Sequence, residues 1–249
     1  MSRDAYIGCL LGTAVGDALG LPYEGLSARR AAKLFPDGGR HNLLFGKGMV
    51  SDDIEHACFV AQALIRANGD MRTFQRRLAR SLRWWLLGLP AGVGFATLRA
   101  IAKLWCGFPP QKSGVFSAGN GPAMRSPILG VAYGHDPEQL KRFVRASTEI
   151  THSDPKAYYA ALAIALAAHQ SASEVTPSAE HYLLALGGLL QEDDADELHE
   201  LLKRAARAAA KNDPVADFAK NIGSKNGISG YSYDTVPCVL QVWFRHPQD

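Results

Sequence analysis

Apolar residues along this chain recur mostly at steps of three and four, the period of an α-helix with one buried face. From Asp53 onward, Ile54, Ala57, Cys58, Ala61, Leu64 and Ile65 mark such a stripe, and Asn68-Gly69-Asp70 breaks it. The pattern predicts further helices over Leu78 to Leu87 and Val93 to Leu104, parted by Pro90 and Gly92 and closed by Gly107-Phe108-Pro109-Pro110. Pro137 to Ser147 and Lys156 to His169 read as helices with a proline near the start, where a missing N–H costs nothing. Ile128 to Tyr133, a short piece around His181 to Leu190, and Asp196 to Lys211 complete the set. The last has mixed charges and reads as the most exposed helix. Leu43 to Val50 is the best candidate for extended chain, but no run alternates as a strand does. Ser171 to Asp196 is polar, then acidic, and linker-like. No repeat or low-complexity tract interrupts this order, so residues 1–249 read as one mostly α-helical domain.

Composition narrows the function classes. At 47% hydrophobic and 20% charged residues the chain is ordinary for a folded globular protein. A net charge of +3 is too small to predict a nucleic-acid partner. Arg76, Arg77, Arg80 and Arg83 cluster at helical spacing and read as one solvated face. Cys9, Cys58, Cys106 and Cys238 lie far apart without a C-x-x-C pair, so neither a zinc site nor a disulfide framework is expected. That usage predicts a reduced, cytoplasmic protein. Ile7 to Leu21 is apolar, but Asp17 interrupts it and Asp4 stands beside Arg3, unlike a signal sequence. The run also reads as too short to span a bilayer. No membrane partner is therefore expected.

Three features carry candidate chemistry. Ser51-Asp52-Asp53 follows the glycine-containing loop Gly46 to Val50 and opens the helix described first. Ser51 is a good N-cap, and carboxylates in a first turn suit the helix dipole. Equally, a hydroxyl and two adjacent carboxylates are hard oxygen ligands for Mg²⁺ or Mn²⁺, and a cation relieves their repulsion. Upstream, Gly12, Gly16 and Gly20 form a small-residue stripe that suits close helix packing, with Asp17 on it in need of a partner. Glu24 follows Pro22 in a loop, where a carboxylate over a pocket can serve as general acid or base. The Ser117 to Arg125 segment holds Gly119-Asn120-Gly121, either a plain turn or a set of N–H groups for phosphate and sugar. His152, in the turn Thr151 to Pro155, is either a ligand contact or a satisfied polar residue.

In this order, Gly8 to Gly20, Glu24, Ser51-Asp52-Asp53, Gly119 to Arg125 and Thr151-His152 resemble the ADP-ribosylglycohydrolase family. Gly230 to Pro237 and Val239 to Phe244 are similar to its penultimate region. The resemblance implies an all-α orthogonal helical bundle with a binuclear Mg²⁺ or Mn²⁺ centre at the bottom of an ADP-ribose cleft. It implies Ser51, Asp52 and Asp53 as metal ligands, and Glu24 and Asp53 as catalytic. Gly119 and Asn120 would hold ribose and diphosphate, and His152 would contact the ligand. The implied reaction is metal-dependent removal of ADP-ribose from an arginine- or serine-type linkage on a protein or small conjugate, chemically kin to glycoside hydrolysis.

Two departures temper those expectations. Ile54 stands where the family has threonine, which loosens support around the metal ligands. No Gly-Asp-x-Asp-Thr-like segment follows Arg245, and Asp193-Asp194 is of the wrong order and context. The expectation is one weakly held metal ion or none, with C-terminal truncation left open. Apolar surface uncovered in that way would favour a homodimer. The alternative functions are a catalytically silent ADP-ribose-binding protein and a helical interaction protein that has lost the binuclear site.

Overall fold

The computed structural model describes residues 2–36, 38–41, 43, 46–90, 92–173, 176–190, 195–224 and 227–247. The fold is an all-α bundle: among these residues there are fourteen α-helices and no strand, and isolated bridges join Val115 to His152 and Gly119 to Tyr231. The candidate extended piece at 43–50 forms no strand among its described residues. Asp193-Asp194 lies outside the described residues.

Helix α1 (Arg3–Gly20) is capped by the Ser2 hydroxyl and runs into a 3₁₀ turn, Leu21–Tyr23. α2 (Ala28–Leu34) follows. α3 (Asp52–Ala67) and α4 (Met71–Leu87) form a hairpin whose turn places Asn68 in the left-handed region at φ 44°. Asp70 caps α4, so this helix starts a full two turns before the predicted Leu78. α5 (Phe95–Trp105), α6 (Pro110–Ser113), α7 (Gly121–Met124) and α8 (Pro127–Tyr133) are shorter. α9 (Pro137–Glu149) and α10 (Pro155–Ser171) begin with caps from Asp136 and Asp154, each followed by proline. α11 (Ala179–Leu190), α12 (Asp196–Ala210), α13 (Val215–Asn221) and α14 (Ser232–Arg245) end the chain.

The core forms around α10, whose residues from Ala157 to Ala167 are buried almost without a break. A helix apolar all round sits inside a bundle, and α10 packs against α7, α8, α9, α11 and α14. Gly130 of α8 meets the backbone of Ala165 so closely that any side chain there would clash. Phe143 stacks on Tyr133 and meets Phe74 edge-on, joining α9 to α8 and α4. α12 buries Leu198, Leu202 and Ala205, largely against α14, and is less exposed than its charges suggest.

Three sequence expectations are corrected here. On α3 the buried arc follows Ile54, Ala57, Val60 and Ala63, so Ile65, about 140° round from Val60, is 81% exposed. On α1 the small-residue stripe is not a helix contact: a Cβ at Gly8, Gly12, Gly16 or Gly20 would meet nothing within 4 Å. The helix meets the bundle instead through Tyr6, Cys9, Leu10, Asp17 and Ala18, leaving Ile7, Leu11 and Val15 exposed. Finally, Arg3–Tyr23 is long and apolar enough to cross a membrane by length and composition, contrary to the reading of 7–21 as too short.

Candidate active site

The site grows from one buried carboxylate. Asp17 Oδ2 accepts the backbone N–H of Ser51 at 2.8 Å and of Ile54 at 3.3 Å, and Asp17 Oδ1 accepts the Ser51 hydroxyl at 2.8 Å. Asp17 of α1 thus caps α3 from outside. Ser51, expected to cap α3 itself, makes no side-chain cap, because its hydroxyl is drawn to Asp17. The clamp fixes where Asp52 and Asp53 enter the first turn of α3. Ile54, the departure from the family pattern, is a buried core residue.

A cavity of about 1210 Å³ opens in front of this turn. Glu24, Asp52 and Asp53 line one side, and Gly119, Asn120 and His152 also line it. Six of the seven residues singled out in the sequence therefore share one space. Ser51 does not line it; it is buried behind the acidic wall. The wall is electrostatically loaded. Burial first, then Asp53 and more weakly Glu24 and Asp17, push the Asp52 carboxyl up to about 7. Burial, Asp17 and Glu24 push Asp53 up to about 6, and burial and Asp17 raise Glu24. Gly92, at φ 82°, sits so close that a Cβ there would lie 2.9 Å from Asp52 Oδ1. The sequence marked Gly92 only as a helix breaker.

Another part of the lining is a pair of stapled loops. Asn120 N–H donates to the Gly230 carbonyl at 2.9 Å and Ser232 N–H to the Ala118 carbonyl at 2.8 Å. Ser229 and Gly230 thereby become part of the cavity lining. Lys156, bonded to Glu197 at 2.6 Å and to the Tyr231 hydroxyl at 3.1 Å, pins the far end of the second loop. Gly119 and Gly121 are required by His152: a Cβ at these positions would lie 2.8 Å from Nε2 and 3.2 Å from Cε1.

Behind His152 lies a group the sequence reading missed. Arg125 is fully buried and donates to the Ser147 hydroxyl and carbonyl, the Gly121 carbonyl and, at 2.7 Å, the Thr151 hydroxyl. Burial pushes its guanidinium down to about 9, which leaves it charged at neutral pH. Thr151 Oγ also lies 2.8 Å from His152 Nδ1. With Arg125 donating to that oxygen, the buried hydroxyl proton finds its acceptor in Nδ1, so the ring's own proton sits on Nε2. Burial and the Arg125 charge push His152 down to about 3. His152 is thus a neutral ring with its Nε2–H beside the glycine loop. Arg125 was visible in sequence only as the end of that loop; its burial depends on Ser147 and Thr151, more than twenty residues away.

Among the described residues, no group of three or more His, Cys, Asp or Glu side chains is arranged to hold a metal ion.

An all-α bundle in which three carboxylates and a glycine–asparagine loop line one cavity defines the class. A model of the ADP-ribosylglycohydrolase family matches residues 1–249, and the chain belongs to that family. It is 30% identical over 178 residues to the ADP-ribosyl-[dinitrogen reductase] glycohydrolase of Rhodospirillum rubrum, covering 67% of this chain and 58% of that protein. It is 29% identical over 217 residues to ADP-ribosylhydrolase ARH3 of Gallus gallus, covering 76% and 56%. A solved structure described as an ADP-ribosylglycohydrolase-related protein complex superposes with a TM-score of 0.68 at 28% identity, over 97% of this chain and 76% of that one. The chain thus spans little more than half the length of these two curated relatives.

Proposed function

We propose that this chain hydrolyses the bond between the anomeric carbon of ADP-ribose and an acceptor side chain, of arginine or serine type, on a modified protein or small conjugate. The observation that carries the reading is the meeting of Glu24, Asp52 and Asp53 with Gly119, Asn120 and His152 around one cavity large enough for a dinucleotide-sized ligand. Gly119 and Asn120, their own N–H groups held by the Ser117 hydroxyl and the Gly230 carbonyl, border the sugar and diphosphate, and the His152 Nε2–H donates to a ligand oxygen. Glu24, raised by burial and Asp17, is suited to hold a proton for the leaving group. Asp53 holds the opposite side of the reacting ribose, where positive charge develops.

The donor chemistry of the acidic wall fits a hard cation: it offers oxygens only, and burial together with like-charge repulsion raises Asp52. Asp52 and Asp53 would hold one Mg²⁺ or Mn²⁺, with water completing the shell, and Ser51 would support them from behind. Such an ion would supply Lewis acidity to a water and to the ribose hydroxyls. The residues on this wall suit one ion better than two.

The test is release of ADP-ribose from a modified protein with Mg²⁺, with Mn²⁺ and with EDTA. Metal-dependent release that Asp53→Asn abolishes is expected. Failure to release at any enzyme concentration overturns hydrolysis. The absence of a three-ligand cluster among the described residues favours a second reading, binding without turnover. Calorimetric binding of ADP-ribose together with silent release would establish it instead.

A further inference from the structure

Between Asp70 and Asp136 the chain has no Asp or Glu but nine arginines and lysines. The structure gathers part of that charge on α4. Arg76, Arg77, Arg80 and Trp84 stand exposed, opposite the buried Phe74, Leu78 and Leu82. Neither these arginines nor Arg66 at the end of α3 forms a salt bridge among the described residues. The acidic neighbours are engaged elsewhere: Asp70 caps α4 through the Thr73 N–H, and Glu55 accepts the Trp85 indole N–H.

Cations on this side meet rings instead of carboxylates. The Arg83 guanidinium lies 4.8 Å from the centre of the Trp105 ring, and Lys103 Nζ lies 5.2 Å from that of Phe108. Two hollows flank the Arg80–Trp84 ridge. One, of about 330 Å³, is lined by Arg76, Arg80 and Arg83; the other, of about 380 Å³, by Arg66, Arg77 and Arg80. At the C-terminal end of α4 the surface becomes apolar: Leu87 is 59% exposed, and Leu89, at φ 50°, is 89% exposed between Gly88 and Pro90.

We propose that this face docks on an anionic lipid bilayer. The arginines meet headgroup phosphates, Trp84 sits at the interface, and the Leu87–Leu89 tip enters the acyl boundary, the division of labour of a surface-lying amphipathic element. The leucine tip decides between anionic partners. A nucleic acid rewards the guanidinium groups but gains little from the exposed leucines, whereas a bilayer engages both. Peripheral docking needs no spanning helix. It departs from the sequence expectation of no membrane partner, which rested on anchoring and targeting segments alone. It is also independent of the proposed hydrolysis, because neither hollow shares a lining residue with the main cavity.

Cosedimentation of the 249-residue chain with vesicles tests this, using phosphatidylcholine alone or mixed with phosphatidylglycerol. Retention on the mixed vesicles only is expected, falling as salt screens the charge. Arg77→Gln with Arg80→Gln should weaken it about 25-fold, at about fivefold per basic residue removed. Leu89→Asn, a residue that tolerates the left-handed region, should weaken it severalfold without lowering the melting temperature. Equal retention on both vesicle types, or none on either, overturns the proposal. So does a Leu89→Asn chain that binds like the parent while a single-stranded oligonucleotide competes fully, since the face is then a general polyanion site.

Discussion

Replacing Asp17 separates a structural clamp from a catalytic carboxylate, and the geometry fixes the outcome for two different substitutions. In Asp17→Ala three buried donors lose their acceptor: the N–H groups of Ser51 and Ile54 and the Ser51 hydroxyl. The hydroxyl can turn elsewhere, but the two backbone groups cannot. At about 1–3 kcal/mol for each buried donor left unpaired, with water entering the truncated space, the expected loss is about 3 kcal/mol. Asp17→Asn behaves differently. Both backbone N–H groups bond the same oxygen, Oδ2, so a single amide oxygen keeps both. The amide NH₂ then replaces Oδ1, and the Ser51 hydroxyl reverses to accept from it. Loss of charge at the α3 N-terminus costs about 0.3–1 kcal/mol, offset by relief of Asp53 and Asp52. Asn should therefore cost about 1 kcal/mol or less. Urea denaturation at neutral pH in EDTA, comparing midpoints at constant slope, measures both. A harmless Asp17→Ala, or an Asn as damaging as the Ala, would refute the clamp.

The remaining predictions concern the cavity walls. With Asp52 pushed up to about 7 and Asp53 to about 6, the folded chain keeps protons that the unfolded chain gives up near pH 4. Stability contributed there is full at pH 4 and is lost as pH rises through 6 to 7 in EDTA. Asp52→Asn should flatten that slope in thermal melts, and an unchanged slope refutes the assignment. His152, pushed down to about 3, should show no titration of its Cε1–H resonance between pH 8 and pH 5; a midpoint inside that window contradicts the Arg125–Thr151 arrangement. Gly119→Ala places a Cβ 2.8 Å from His152 Nε2. Overpacking of this kind costs about 1–3 kcal/mol, so ADP-ribose affinity by calorimetry should fall roughly tenfold or more. Retained affinity would show that His152 and the glycine loop do not act together.

Helix positions were legible because burial imposes a period that composition makes visible. Pro137 and Pro155 sit at the starts of two helices, whereas Asp70, read only as part of a break, caps α4 two turns before the predicted start. The motif residues Glu24, Asp52, Asp53, Gly119, Asn120 and His152 were also legible, as residue types whose order resembles one family. Other things were not. Whether Gly12 and Gly16 face a helix or solvent depends on which side of α1 the bundle takes, and local pattern carries both possibilities. Ser51 was read as a cap from its neighbours in sequence, but Asp17, thirty-four residues earlier, claims its hydroxyl.

The linear order of residues thus determined that the chain is helical, roughly where its long helices lie, and which side chains have oxygen and amide chemistry to offer. Only the tertiary structure decided what those groups face: three carboxylates brought close enough to repel, a buried guanidinium behind a neutral imidazole, and five arginines on a side with few carboxylates. Protonation, repulsion and hydrogen-bond direction depend on distances across the chain and on exclusion of water. Neither quantity exists until helices remote in sequence are packed together.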